Sequence, residues 1–513
     1  MSTETELKLL LAPEQLRRVP RNALVRRLKR GRGVSDNLKS VYFDTDDMQL
    51  RGNKMVLRVR HVGRRRIQTL KTMGEPSAGA SLRQEWETEI SGDVPEASPL
   101  RATEARLPQP EDRLVRSLHP IFSTEVRRTT YTLGADGWEV EMALDEGRVV
   151  GPAGFTPISE AEFELKRGEP RILFELARAL QQQLAGRVSL TTKAERGFAL
   201  LGDEPSPRRA RSPVYPADAT IGQAFKSIIR VCAEQLLANQ DVLFATGDPE
   251  AVHQMRVALR RLTSGIRLFA DFTETPETQA LREEIRWLQV YLGPARDAEV
   301  FVTDMLDPLA VEMGEQPGYQ ALHQDFVDRR ASSLKTAQQA LSEPRFTQFV
   351  LALGAWIEGG DWQADNEPIA RERLGEPARG YAIDVLDRLD RRVRRALRQL
   401  AELDAEGRHR ARIRVKRLRY AIEFFAGLFP DKKARRLVAT LGRLQDRLGH
   451  LNDIAVAARL LREHAEMNGD PARLWAAGQI AGWHAGRVAG LLAAAEDGRQ
   501  ALARQTRFWR DAE

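Results

Sequence analysis

"ETELK", residues 4–8, and "EFELK", residues 162–166, each set two carboxylates and an ammonium at alternate positions. In a β-strand, alternate side chains leave on opposite faces. Glu4, Glu6 and Lys8 therefore share one face, and Thr5, Leu7 and Leu9 share the other. The pattern recurs between these two segments. Arg58 and Arg60 alternate in "LRVR", Glu85, Glu87 and Glu89 in "EWETE", and Glu139 and Glu141 in "WEVEM". The positions between are often apolar: Leu7, Leu9, Val59, Trp86, Val140, Phe163 and Leu165. One such strand is ordinary for a sheet with one wet face. Matched charge alternation over several strands points further, because closing a sheet into a barrel turns one face of every strand inward. With the charged face inside, the lumen holds carboxylates and cations together. The apolar outside then needs cover from helices.

Other short alternating segments, such as "SVYFDT", "RRRIQTLKT" and "RRTTYTLG", continue to about residue 200. Helical spacing is predicted near 13–30 and 169–185. Pro205, Pro207, Pro213 and Pro216 then exclude regular structure. Beyond residue 220 the chain reads as helix to its end. These changes predict an α+β multidomain chain: a strand-rich domain over 1–203, a proline-rich linker over 204–217 and an all-α domain over 218–510.

Of 513 residues, 42% are hydrophobic and 29% charged, a globular balance. No run of about 18 apolar residues predicts a membrane span, and the acidic start does not read as a signal peptide. A single cysteine, Cys232, excludes a disulfide framework or a cysteine-rich zinc site. A cytoplasmic location fits these features. The net charge of +7, locally clustered, favours polyanionic ligands. A lumen of mixed charge suits a condensed phosphate with Mg²⁺ or Mn²⁺, since carboxylates bind the metal and Arg or Lys offset the phosphate. Phosphoryl transfer needs positioning and charge stabilisation more than a covalent nucleophile. Accordingly, no Ser–His–Asp or Cys–His grouping, Walker A loop or G-x-G-x-x-G fingerprint is present.

In order along the chain, "ETELK", "YFDT", "LRVR", "TLKT", "LRQEWE", "IFSTEVRR", "ALDEG", "EFELK" and "TTKAERGFAL" resemble the CYTH family, the triphosphate tunnel metalloenzymes, over about residues 1–203. The resemblance implies an eight-stranded antiparallel β tunnel with flanking helices, hydrolysing or cyclising triphosphates with Mg²⁺ or Mn²⁺. It implies metal binding by Glu4, Glu6, Glu162 and Glu164, with Glu139, Glu141 and Asp145 as further candidates. Lys8, Arg58, Arg60, Lys71, Arg128 and Lys193 would grip phosphates, and Glu85 would orient a basic neighbour beside Arg83. Arg127 and Arg128 leave on opposite faces, and the family pattern puts Arg128 inside. Glu87 and Glu89 read as outer or rim charges, and Arg64, Arg65 and Arg66 as solvated turn charges.

The second half repeats itself. "HQMRVALRRLTSGIRLF" from His253 aligns with "HRARIRVKRLRYAIEFF" from His409, and "LQVYLGPARD" from Leu288 with "LQDRLGHLND" from Leu444. Both pairs share one offset (409 − 253 = 444 − 288 = 156), which argues for two related helical units, each read as a four-helix bundle, near 218–355 and 378–510. At 100° per residue, His253, Arg256, Arg260 and Arg267 form a cationic stripe opposite Met255, Leu259, Leu262, Ile266 and Phe269. His409, Arg412, Lys416 and Arg419 form its counterpart. Acidic residues at i±4 are scarce, so the stripes call for an external anion. Tyr and Trp do not interleave with them, which weakens nucleic acid as the ligand. The recurring His253 and His409 read as phosphate contacts or hydrogen-bonded structural groups rather than metal ligands. "HQMRVALRRL", "LGPARDAEVF", "RIRVKRLRYAIEFF" and "LGHLNDIAVA" resemble the CHAD domain, which implies binding of inorganic polyphosphate. Its candidate contacts are His253, Arg256, Arg260, Arg261, Arg267, His409, Arg412, Arg414, Lys416, Arg417 and Arg419.

The expected activity is metal-dependent hydrolysis of inorganic triphosphate, as in bacterial inorganic triphosphatases carrying both domains. Two rivals stand beside it: a non-catalytic polyphosphate-binding protein, and a hydrolase or cyclase of ATP or thiamine triphosphate.

Overall fold

The computed structural model describes residues 2–510 apart from 73–75, 78–79, 361, 363–367 and 430–432. Its strands are β1 (Ser2–Leu11), β2 (Val34–Asp44), β3 (Met55–Val62), β4 (Arg65–Thr72), β5 (Pro76–Ser77), β6 (Ala80–Ile90), β7 (His119–Ala135), β8 (Trp138–Gly151), β9 (Gly154–Arg167) and β10 (Gly186–Val188). Eight of them form an antiparallel ring in the order β1-β9-β8-β7-β2-β3-β4-β6, closed by pairing of β6 with β1 from Ser2↔Glu85 to Leu7↔Ala80. The short β10 and β5 extend β1 and β6. The tunnel expected from the charge alternation is therefore present.

The faces divide as alternation demands. Leu7, Leu9, Val59, Val140 and Phe163 are buried on the outside, while Glu6, Lys8, Arg58, Arg60, Glu141, Glu162 and Glu164 line the lumen. The helix Arg171–Gln181 covers part of β1 and β9. It buries Leu173, Phe174, Leu176, Ala177 and Leu180 at helical spacing, each large side chain worth roughly 1.5–3 kcal/mol. The helix Pro344–Gly359 packs on it in turn. Gly354 makes that approach possible, because a Cβ there would lie 2.2 Å from the Phe174 ring. The helix expected over 13–30 is instead three short pieces, Pro13–Leu16, Val19–Arg21 and Ala23–Leu28. Pro20, without an N–H, interrupts it.

One end of the lumen is plugged. Continuing the inward parity past Ser40, Val126, Asp145 and Glu160 gives Tyr42, Phe122, Val149 and Ile158, an apolar cluster that includes Ala194 and Phe198. The last two belong to the helix Lys193–Ala199, whose start is fixed by a capping box between Thr192 and Glu195.

The chain forms two compact units that do not follow its halves. The first joins Met1–Arg209 with Ala233–Met255 and Leu341–Asp361, and the second comprises Ala210–Cys232, Arg256–Ala340 and Trp362–Glu513. The second unit is helical. The sequence repeat reappears as matched helices, Pro249–Leu268, of which the part up to Met255 belongs to the first unit, with Ala405–Phe425, and Pro276–Val300 with Lys433–Asn468. The proline-rich stretch has no regular structure but is tied down within each unit. The Arg208 amide donates to Asn239 Oδ1 (2.9 Å) and the Tyr215 hydroxyl to the Phe424 carbonyl (2.6 Å). Among the described residues no helix is long and apolar enough to cross a membrane.

Candidate functional site

The lumen encloses a cavity of about 290 Å³. Strand register arranges its charges. Glu6 on β1 stands opposite Glu164 on β9, and Glu164 opposite Glu141 on β8. Directly opposed residues on adjacent strands point the same way, and like charges so placed repel. This row of three carboxylates is an all-oxygen donor set of the kind hard divalent cations prefer. β3 stands four places from β9 in the eight-strand ring, so Arg58 and Arg60 lie across the lumen from Glu162 and Glu164. Lys71 on β4 continues the basic wall.

Below the acidic row lies a buried cluster. Oxygens of Asp145, Glu160 and Glu162 lie within 4.8 Å of one another. The Lys193 ammonium occupies their midst, at 2.7, 2.5 and 2.8 Å. Arg128 donates twice to Asp145 (2.8 and 2.6 Å) and once to Glu162 (2.5 Å). Lys8 approaches Glu162 (3.6 Å) and Arg196 holds Glu160 (2.5 Å). Burial pushes all three carboxyls up, but Lys193 and the neighbouring cations outweigh it and hold each below its usual value, Glu162 furthest.

The basic wall is less fully paired. Lys71 binds Glu85 (2.5 Å), while Arg58 lies 3.6 Å from Glu85 and 3.8 Å from Glu87. Arg60 makes no ion pair within 4 Å among the described residues, and its Nε lacks a hydrogen-bond partner. Burial, with Arg58 and Arg128 nearby, pulls it down to about 10. A buried cation in that state is set up to receive an anion. Glu141 likewise has no ion pair or side-chain hydrogen bond among the described residues, although it faces the cavity.

Most of the tunnel residues singled out from the sequence meet in this cavity: Glu6, Lys8, Arg58, Arg60, Lys71, Glu85, Arg128, Glu141, Asp145, Glu162, Glu164 and Lys193. Glu4 lies in β1, but its side chain, like that of Arg83, is outside the described residues. Glu139 does not join them. It sits beyond a register shift between β8 and β9 and pairs with Arg30 at 3.3 Å. Arg127 is exposed, as expected, and Arg65 and Arg66 pair with Glu89 and Asp93 outside the lumen. Glu87, read as a rim charge, lines the cavity. Glu160, Lys166, Arg196 and the Thr192 cap were missed. Glu160 was findable, since it lies one alternation before "EFELK".

In the helical unit the repeat has a structural meaning. Arg256 lies against Gly293, where a Cβ would stand 3.0 Å from its guanidinium, and 3.6 Å from Asp297. Arg412 lies against Gly449 at 3.6 Å in the same sense, with Asp453 near it. A Cβ would crowd the guanidinium at Gly293 and only touch it at van der Waals distance at Gly449. Arg256, Arg260, Arg412 and Lys416 crowd together. Burial and these arginines pull Lys416 down to about 7. Arg260 and Lys416 have no ion pair among the described residues. His409 Nδ1 meets Asn452 Oδ1 at 2.7 Å. His253 lies one turn before Arg256 on the same helix. Arg267 and Arg414 are exposed, Arg417 lies near both, and Arg419 approaches Glu423 at 3.6 Å. Arg261 is corrected: it is 1% exposed, pairs with Glu423, donates to the Arg211 carbonyl and covers the Phe424 ring. It faces the core, not a ligand.

Fold and charge placement define a charged β-tunnel domain joined to a basic helical domain, and comparison with known proteins agrees. The CYTH domain family matches residues 2–198 and the CHAD domain family matches residues 227–462. The chain is a CYTH domain followed by a CHAD domain. It is 32% identical over 202 residues to an inorganic triphosphatase of Haemophilus influenzae, a match covering 39% of this chain and 55% of that protein. The chain thus spans about half the length of that relative. An uncharacterized protein of Mycobacterium tuberculosis is 25% identical over 84% of both chains. The crystal structure of a CHAD domain from Ricinus communis matches with 31% identity and a TM-score of 0.51, covering 59% of this chain and 98% of that one.

Proposed function

We propose that the tunnel hydrolyses inorganic triphosphate to pyrophosphate and phosphate with bound Mg²⁺ or Mn²⁺, and that the cationic stripe of the helical unit binds inorganic polyphosphate. The opposition of a carboxylate row to a basic wall within one lumen carries this reading. Glu6, Glu141 and Glu164, with Glu4 at the start of the same strand, would hold the metal. When bound, it supplies charge neutralisation between carboxylate and phosphate oxygens and a polarised water. Glu162 and Asp145 already share their charge with Lys193 and Arg128, so they serve as the floor of the site. Arg60, Arg58 and Lys71 receive the phosphate chain from the opposite wall. Arg60 gains most, because it exchanges an uncompensated buried charge for a charge-assisted hydrogen bond. Lys8, Arg128 and Lys193 fix the floor against which the terminal phosphoryl group lies. A water oxygen adds to its phosphorus as the bond to the bridging oxygen breaks; pyrophosphate departs with that oxygen, and the water's proton passes to solvent. The basic wall stabilises the charge that develops.

The lining supports an inorganic substrate. Its only apolar members among the described residues are Leu38, Val126 and Ala143, with no aromatic ring to stack a nucleobase or thiazolium.

Phosphate release from tripolyphosphate, ATP and thiamine triphosphate, with Mg²⁺ or Mn²⁺, tests the reading. Tripolyphosphate is expected to turn over fastest, and Glu6→Gln/Glu141→Gln to abolish turnover. Binding of all three without turnover would make the tunnel a receptor. Preference for ATP or thiamine triphosphate would reassign it to organic substrates.

A further inference from the structure

Asp241 lies in the helix Ile221–Thr246, within sequence matched by the CHAD family. It nevertheless belongs to the compact unit that contains the tunnel. Its carboxylate is 8% exposed and, among the described residues, accepts hydrogen bonds from one short segment. The donors are Arg187 (2.6 Å), the Ser189 hydroxyl (2.8 Å), the Leu190 amide (2.9 Å), and the Thr191 amide and hydroxyl (3.1 and 3.0 Å). Neighbouring Gln240 donates to the Val188 carbonyl at 3.2 Å. A buried carboxylate satisfied this fully is a rigid clamp on the backbone it holds.

That segment leads directly into the lumen. The Thr191 carbonyl accepts from the Lys8 ammonium at 3.2 Å, and the Ser189 amide donates to the Lys8 carbonyl at 3.3 Å. Thr192 caps the helix that Lys193 begins. The two lysines that hold the floor carboxylates are thus both set by residues 189–193, and Asp241 holds that stretch from behind. This group lies outside residues 1–203.

We propose that Asp241, supplied by a CHAD-matched helix, is a positioning residue for Lys8 and Lys193, so that hydrolysis in the tunnel depends on a part of the chain outside the CYTH sequence. The inference rests on the hydrolytic reading above. Asp241 touches no substrate. It acts through the loop, and small displacements of positioned groups can cost up to about 100-fold in rate.

The test uses the full chain with Asp241→Ala, Asp241→Asn and Asp241→Glu. A control, Gln348→Ala, removes a different contact that a late helix makes within the same unit, its 3.2 Å bond to the Arg178 carbonyl. Turnover of tripolyphosphate is measured as kcat and KM separately, beside thermal melts. The expected result is a fall in kcat of about tenfold or more in Asp241→Ala and Asp241→Asn, with KM changed less than about threefold. Asp241→Glu is expected to recover part of the loss, and Gln348→Ala to stay within about twofold of wild type. Unchanged kcat in folded Asp241→Asn, with only the melting temperature lowered, overturns the inference and leaves the hydrolytic reading intact. If wild type binds tripolyphosphate without turnover, the hydrolytic reading fails. Calorimetric affinity then decides for Asp241, with a tenfold weakening in Asp241→Asn supporting positioning and equal affinity overturning it. A wild type that neither binds nor hydrolyses overturns both.

Discussion

The tunnel and the helical unit both concentrate cations, but they treat them differently. On the tunnel floor Asp145, Glu160 and Glu162 each have a cationic nitrogen within 2.8 Å. In the helical unit Arg260 and Lys416 share a patch with Arg256 and Arg412, and among the described residues neither has an acidic partner within 4 Å. Interleaved opposite charges hold one another in fixed geometry, as an active site requires. Clustered like charges raise the energy of the empty state and release it on meeting a polyanion. On the proposed reading the difference separates a site that positions its ligand from one that captures it, and it can be probed from both sides.

The largest effect is expected at the carboxylate row. Glu6→Gln/Glu141→Gln should lower kcat for tripolyphosphate by about 10³-fold, while the melting temperature holds or rises because repulsion between opposed carboxylates is relieved. A large loss of stability would instead make the row structural. Next comes the floor. Lys193→Met leaves three buried carboxylates short of their central cation, and unfolding free energy should drop by about 3–5 kcal/mol. The pH dependence carries a sign. In wild type the floor carboxyls sit below their unfolded values. Their stabilisation is therefore present above about pH 4 and lost as pH falls through the folded values. In Lys193→Met burial acts with less opposition, so the loss of melting temperature on acidification should flatten. An unchanged slope would contradict the account.

The helical patch should respond in the other direction. Lys416, held at about 7, is mostly neutral at pH 8. A bound polyanion favours its charged form, so binding should take up to about one proton. Calorimetry in buffers of different ionisation enthalpy measures that uptake, and Lys416→Met should remove it. Arg256→Glu/Arg412→Glu should abolish polyphosphate retention at moderate salt, and unchanged retention would exclude this patch as the polyanion site. The smallest effect is expected at Arg127, which faces away from the lumen. Arg127→Ala should leave turnover within about twofold.

The barrel and its inward charges were legible because strand alternation has a period of two, and Glu6, Arg58, Glu141 and Glu164 each obeyed it. The same rule misplaced Glu139, because a register shift beside that position is invisible to alternation. Arg261 was counted as a ligand with Arg417, its match across the repeat. One residue past Arg260, it lies on the flank between the cationic and apolar arcs, where helical spacing alone does not decide its direction. The 156-residue offset exposed Gly293 and Gly449 as a pair, but not the guanidinium groups that lie against them. Asp241 was beyond reach for a different reason. Its partners lie some 50 residues away, and no local pattern marks a carboxylate that holds a distant loop.

The proposed action of the opposed lumen walls on a terminal phosphoryl group of an inorganic chain is tested most directly by phosphorus NMR of tripolyphosphate with the 513-residue protein and Mg²⁺. Pyrophosphate and phosphate are expected to appear in equal amounts as tripolyphosphate disappears, with Glu6→Gln/Glu141→Gln silent. A spectrum that stays unchanged with wild type, or the same products from the double variant, would contradict it.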